Sequence, residues 1–269
     1  DFLDKAQLVN YDQYRALMEG FSAHEWEWYT GVIIWKTQNP WTAMRGQMYD
    51  YYLDPNACLY GLHKGSEPFH VMYNNADGMV MIANNTFTAK RNIMLKAEAY
   101  DMDGKEKLLT QAFSYVEPTS SKNYVSLKNA IDRMGKDKGM FLYLSLLDEN
   151  QNLLDDNLYW LPDSTGNFSG LQEMKKATVE VTAHKVGEGK VEVTISNANE
   201  NPIAFFNRLS LVDSKTKQRI FPAFYSDNYI SVLPGENKKI TIDYTPGANE
   251  NAAVELYGWN VEERAIQVK

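Results

Sequence analysis

Apolar positions near the start of the chain recur at spacings of three and four. Leu3, Ala6, Tyr14, Leu17, Met18 and Phe21 fall on one face, which predicts a helix over about residues 1–28 with Gly20 as a mild interruption. The pattern then changes. Tyr29-Thr-Gly-Val-Ile-Ile-Trp35 is a short, continuous, β-branched apolar run, the way a strand buried on both faces of a parallel sheet reads. Asn39-Pro40 breaks it, and Trp41 to Leu53 predicts a second helix stopped by Asp54-Pro55. Helix, buried strand, helix is a piece of an α/β protein, yet no second parallel strand follows. The backbone of such a strand needs ladder partners. Truncation is therefore expected, with the partner strands before residue 1.

After Pro55 the pattern becomes all-β. Strands are expected at Phe69–Tyr73, Met79–Asn84, Ile93–Met102, Leu108–Val116, Tyr124–Lys128, Met140–Leu147 and Leu154–Leu161, with turn signals at Asp103-Gly104 and Glu149-Asn150. Short strands at this density over about a hundred residues suit a sandwich of immunoglobulin type. Residues 162–170 (PDSTGNFSG) read as a linker. A second run follows at Ala177–Lys185, Lys190–Asn197, Ala204–Val212, Arg219–Phe224, Tyr229–Leu233, Lys238–Tyr244 and Val254–Asn260, with turns at Pro234-Gly235 and Pro246-Gly247. The expected fold class is mainly β: two immunoglobulin-like antiparallel β-sandwiches preceded by a helix-strand-helix remnant of a (β/α)8 barrel. The expected domains are 1–55 for the barrel remnant, 56–165 for the first sandwich and 172–269 for the second.

Composition narrows the function. The 269 residues carry a formal net charge of -8, so the basic footprint of a nucleic-acid binder is missing. No Lys/Arg block forms a membrane-surface patch, and the apolar runs are too short to span a bilayer. A single cysteine, Cys58, rules out an intrachain disulfide and reads as a small buried hydrophobe. His24, His63, His70 and His184 lack ligand spacing, so no metal site and no cofactor is expected. Aromatic content of 13% suits β-rich proteins and carbohydrate-facing surfaces equally well.

Candidate chemistry is sparse. Glycoside hydrolysis needs two carboxylates facing the scissile bond, and barrel enzymes hold them at the C-terminal strand ends. Glu25 and Glu27 precede the barrel-like strand and read as solvated helix-end residues. The far end carries Trp35, Lys36, Gln38, Asn39 and Trp41, none of them acidic. Trp35 suits either a sugar platform or a cap on the barrel core. Thr119-Ser-Ser121 has no partner histidine, and Asp101, Asp103 and Glu106 around Gly104 read as an acidic hairpin rather than a calcium loop. Trp160 and Trp259, each in an apolar strand context, read as core residues rather than sugar platforms.

The stretch from Tyr29 to Asp50, with Trp35-Lys-Thr-Gln-Asn-Pro-Trp-Thr42 at its centre, resembles the last barrel strand and following helix of family 2 glycoside hydrolases, in the branch of exo-β-glucosaminidases and glycoprotein endo-β-mannosidases. Tyr60-Gly61, Glu67-Pro-Phe-His-Val71, Asp156-Asn-Leu-Tyr-Trp-Leu161, Phe224-Tyr-Ser-Asp-Asn-Tyr229, Leu233-Pro-Gly-Glu236 and Gly258-Trp-Asn260 extend the resemblance over most of the chain. It implies a retaining hydrolase of β-linked glucosamine or mannose residues whose two catalytic glutamates lie on barrel strands outside this sequence, so no catalytic residue is assigned and the chain alone should be inactive. It implies substrate-binding roles for Trp35, as floor of the cleaved sugar's subsite, and for Gln38, Asn39 and Trp41 around it. It also implies a cis peptide bond between Trp35 and Lys36. The expected partners are a glycan or oligosaccharide substrate and the rest of the barrel, with neither nucleic acid nor membrane. Family habit implies a periplasmic or secreted protein. The competing reading is a non-catalytic carbohydrate-binding or adhesion protein built of sandwiches.

Overall fold

A computed structural model describes residues 2–42, 48–134, 137–247 and 251–269. Two compact units emerge: one comprises Asp12–Ile34 and Gly61–Glu173, the other Asp1–Tyr11, Trp35–Tyr60 and Met174–Lys269. Helices α1 (Phe2–Ala23) and α2 (Ala57–Gly65) contribute residues to both.

The first unit contains strands β1 (Phe69–Asn74), β2 (Met79–Asn84), β3 (Lys90–Tyr100), β4 (Glu106–Val116), β5 (Ser120–Ser126), β6 (Met140–Leu147) and β7 (Leu153–Leu161), with a short helix α3 (Lys128–Asp132) after β5. They form two antiparallel sheets, ordered β1-β2-β5 and β4-β3-β6-β7. Val71, Val80 and Ile82 of one sheet and Leu95, Leu142 and Leu144 of the other meet in a single core. Two sheets sealed on one apolar layer make a sandwich. Edge strand β4 alternates exposed and half-covered residues, whereas central β6 is buried along nearly its whole length.

The second unit repeats the arrangement with β8 (Val179–Gly187), β9 (Lys190–Asn197), β10 (Ala204–Asp213), β11 (Ala223–Tyr225), β12 (Ile230–Val232), β13 (Asn237–Tyr244), β14 (Ala252–Tyr257) and β15 (Arg264–Gln267). Its sheets are ordered β11-β13-β9-β8 and β12-β10-β14-β15. Strand β9 alternates cleanly: Val191, Val193 and Ile195 point into a core shared with Leu209, Leu211 and Val254. Gly189 turns the β8–β9 hairpin at a φ of 63°. A Cβ there would lie 2.2 Å from the Tyr244 carbonyl oxygen, so only glycine fits.

The expected helix at the start ends at Ala23 rather than near residue 28, giving way to turns. The expected strand 29–35 does not form. Its only bridge joins Tyr29 to Glu25, and Ile33 is 96% exposed. The cause is the one that makes the run look buried in sequence: such a strand needs parallel neighbours on both sides, and the described residues contain none. The helix expected over 41–53 is corrected as well. Residues 43–47 lie outside the described residues, and 41–42 and 48–53 are not helical. The next helix is α2, beginning after Asn56, whose side-chain Oδ1 caps it by accepting the Cys58 N–H at 3.1 Å. The strand expected over Arg219–Phe224 shrinks to β11.

Candidate functional site

The four residues singled out by sequence lie in the segment after residue 34. The Trp35–Lys36 peptide bond is cis, matching the bond implied by the resemblance. Trp35 is 92% exposed and Trp41 61% exposed. The Lys36 ammonium sits over the Trp41 ring, 5.6 Å from its centroid, a cation–π contact. Asn39 behaves differently: it is 6% exposed, and its Oδ1 has no hydrogen-bond partner among the described residues. Gln38 is exposed and bridges to Tyr49, whose N–H donates to the Thr37 carbonyl at 3.1 Å.

This segment is tied down through residues 48–56. The Asp50 carboxylate accepts the N–H groups of Tyr52 and Asp54, at 2.8 and 2.9 Å, closing a tight turn. Asp54 then receives Arg208 at 2.6 Å, and it also pairs with Arg219. Both arginines belong to the sandwich, so one carboxylate holds the loop to the β10 side. Beside this anchor, Thr37, Gln38 and Tyr49 on one side and Pro222, Phe224 and Tyr225 on the other line a cavity of about 390 Å³. The Tyr225 hydroxyl accepts the Leu211 N–H at 2.8 Å. Asn228 straps the same region, accepting from the Leu209 N–H and donating to its carbonyl.

The first unit holds a second, closed polar cluster. His70 lies between two carboxylates, Nδ1 at 3.0 Å from Asp155 and Nε2 at 3.2 Å from Glu19. Glu19 also accepts from the Asn157 amide and the Tyr159 hydroxyl, while Asp155 accepts the Val71 N–H and the Lys64 ammonium. Buried Arg15 donates to Asn157 Oδ1 at 3.1 Å and to the Leu158 carbonyl at 2.5 Å, and its guanidinium stacks over Tyr159 and Trp160. Burial pushes the His70 pKa down, but the hydrogen bonds and charges of Asp155 and Glu19 outweigh it and raise it to about 8. For Glu19 burial raises the pKa, yet His70 and Arg15 leave it below the ordinary value. Sequence reading missed this cluster. Its only signal was the spacing of Arg15 and Glu19 on one helix face together with the motifs around His70 and Asn157, and those are residues far apart in the chain.

The other sequence candidates are structural. Asp101 accepts the N–H groups of Asp103 and Lys105, building the hairpin turn expected there. Among the described residues no group of three or more His, Cys, Asp or Glu is placed to hold a metal ion. Trp259 meets Phe205 edge-on, with centroids 6.2 Å apart. Cys58 is buried, and desolvation pushes its thiol up to about 12. No helix among the described residues is long and apolar enough to cross a membrane.

Comparison with known proteins agrees with this architecture. The family described as the exo-β-D-glucosaminidase Ig-fold domain matches residues 157–261. The chain is 31% identical to a mannosylglycoprotein endo-β-mannosidase of Lilium longiflorum, over 100% of this chain and 34% of that protein. It is 29% identical to an exo-β-D-glucosaminidase of Amycolatopsis orientalis, over 99% of this chain and 28% of that protein. The crystal structure of the Amycolatopsis orientalis exo-chitosanase superposes with a TM-score of 0.85 at 25% identity, covering 99% of this chain and 34% of the other. The chain thus spans about a third of the length of the relatives it matches. Its fold also matches a β-D-mannosidase of Dictyoglomus thermophilum, with a TM-score of 0.72 at 17% identity over 95% of this chain and 29% of that one. Two antiparallel sandwiches and a likeness that runs over this whole chain but only about a third of each relative make it similar to the exo-β-D-glucosaminidases and to the mannosylglycoprotein endo-β-mannosidase, and its residues 157–261 match the exo-β-D-glucosaminidase Ig-fold domain.

Proposed function

We propose that this chain is the C-terminal part of a retaining glycoside hydrolase acting on β-linked glucosamine or mannose residues, and that it presents Trp35, Gln38 and Trp41 to the sugar, with the buried Asn39 supporting that segment from within. The observation that carries the reading is the position of Trp35. Its indole is 92% exposed, and Trp41, six positions further along, is 61% exposed. An indole face offers the flat apolar surface on which the C–H face of a pyranose packs.

The chemistry of such an enzyme is a double displacement. One carboxylate attacks the anomeric carbon, and the other protonates the leaving oxygen and then activates water. Those groups are proposed to lie on barrel strands outside these residues. The role of this chain is then to form one wall of the sugar site and to brace the barrel with two sandwiches. Following family habit, we propose an extracytoplasmic compartment. The test is Trp35→Ala in the full-length protein. Losing a stacking face that strengthens toward the transition state should lower kcat/KM for aryl β-glucosaminide or β-mannoside by about tenfold to a hundredfold. Unchanged kinetics would remove Trp35 from the site.

A further inference from the structure

The second sandwich faces the sugar-site segment across the 390 Å³ cavity between Gln38 and Phe224. That size lies within the range of small-molecule sites. None of its lining residues is charged: Thr37 and Gln38 supply hydroxyl and amide groups, and Leu53, Pro222 and Phe224 supply apolar surface. A neutral, mostly apolar recess with a few polar groups complements a pyranose, whose ring has an apolar C–H face and a hydroxyl rim. Phe224 remains 61% exposed on short strand β11 although the rest of its motif is fastened by backbone hydrogen bonds through Asn228. Strand β11 thus places an exposed aromatic residue in the lining of the cavity.

The distance from Trp35 fits. Trp35 and Gln38 are three positions apart, and a chain of that length reaches at most about 10 Å, roughly the span of two sugar rings. A larger recess of about 680 Å³ nearby is the competing candidate, but its charged side chains Asp54, Arg208 and Arg219 are already engaged with one another.

We infer that the cavity between Gln38 and Phe224 is a subsite for the sugar residue adjoining the one on Trp35, so that the second sandwich reads the glycan beyond the cleaved bond. This rests on the proposed glycosidase function. Its ligand is a neutral or amino hexose in a β-linked oligosaccharide, held by Phe224 stacking and by hydrogen bonds from Gln38.

The experiment compares kcat/KM of the full-length protein on a β-linked glucosamine or mannose trisaccharide with kcat/KM on the matching aryl monosaccharide. Phe224→Ala should lower the trisaccharide value about tenfold more than the aryl value, and Phe224→Tyr should restore most of the ratio. Phe113→Ala, on the exposed face of β4, is the surface control and should change neither. Melting temperatures of all variants exclude a folding cause, and if Phe224→Ala melts early the comparison rests on Phe224→Tyr and Gln38→Ala. An equal loss on both substrates, or no loss on either, overturns the subsite while leaving the glycosidase reading in place. A wild-type protein that turns over neither substrate overturns both.

Discussion

His70 carries its charge inside the protein because Glu19 and Asp155 bracket it, with Lys64 and Arg15 supplying the compensating positive charge. Its pKa of about 8 in the folded state exceeds the ordinary 6.5. A raised pKa means that protonated His70 stabilises the fold fully below about pH 6.5, and that this contribution is lost as pH rises through about 8. The shift corresponds to about 2 kcal/mol. Urea midpoints of the wild type and of His70→Gln, measured from pH 6 to pH 9, should converge as pH rises. A constant gap across that range would show that the imidazole is held neutral. Glu19, with its lowered pKa, acts in the opposite sense and withdraws stability as pH falls through the carboxylate range. At Trp35 the expectation is different: an indole 92% exposed contributes little to the stability of this chain. Trp35→Ala should therefore leave its melting temperature within about a degree, since surface substitutions lie within about 0.5 kcal/mol. A large drop would identify a packing residue instead.

Strands were legible in the sequence where an alternating or continuous apolar run met turn signals. Met79–Asn84, Met140–Leu147 and Lys190–Asn197 match their expected bounds: the first two are apolar runs buried along nearly their whole length, and the third alternates over one core face. Misreadings cluster between residues 24 and 65. The apolar run Tyr29–Trp35 has the composition of a barrel strand but no parallel neighbour among the described residues, so its backbone enters no ladder there. Helix α2 was hidden because its nine residues, ACLYGLHKG, carry two glycines and too few turns to show a period. Among the candidate site residues, the two indoles and the cis bond were readable through the family likeness. The Gln38–Phe224 cavity was not, since it joins residues nearly two hundred positions apart that only folding brings together. The loop holding Gln38 and Tyr49 depends on Asp54, whose carboxylate meets two arginines. Asp54→Ala leaves both guanidinium groups without that partner in a half-buried setting and should cost about 1–3 kcal/mol. It should also raise amide exchange at Tyr52 and Asp54, the N–H groups held by the adjoining turn. Unaltered stability and exchange would mean that the loop is held by packing alone.

At the scale of the whole molecule, the proposed role of the chain is support and binding surface. Two sandwiches, each sealed on its own apolar core, account for most of the regular structure among the described residues. The chain covers about a third of the glycosidases it resembles. Its buried carboxylates are tied down rather than open to a substrate: Glu19 and Asp155 meet His70 and Lys64, and Glu98 pairs with Lys96. On the proposed reading, chemistry therefore needs residues beyond these 269, and binding needs residues within them. The most direct test is hydrolysis of aryl β-glucosaminide and aryl β-mannoside by the full-length protein and, in parallel, by this chain alone. Turnover by the full-length protein with none by the isolated chain is the expected result. No turnover by the full-length protein, or turnover by the isolated chain that disappears on mutating one of its own carboxylates, would contradict it.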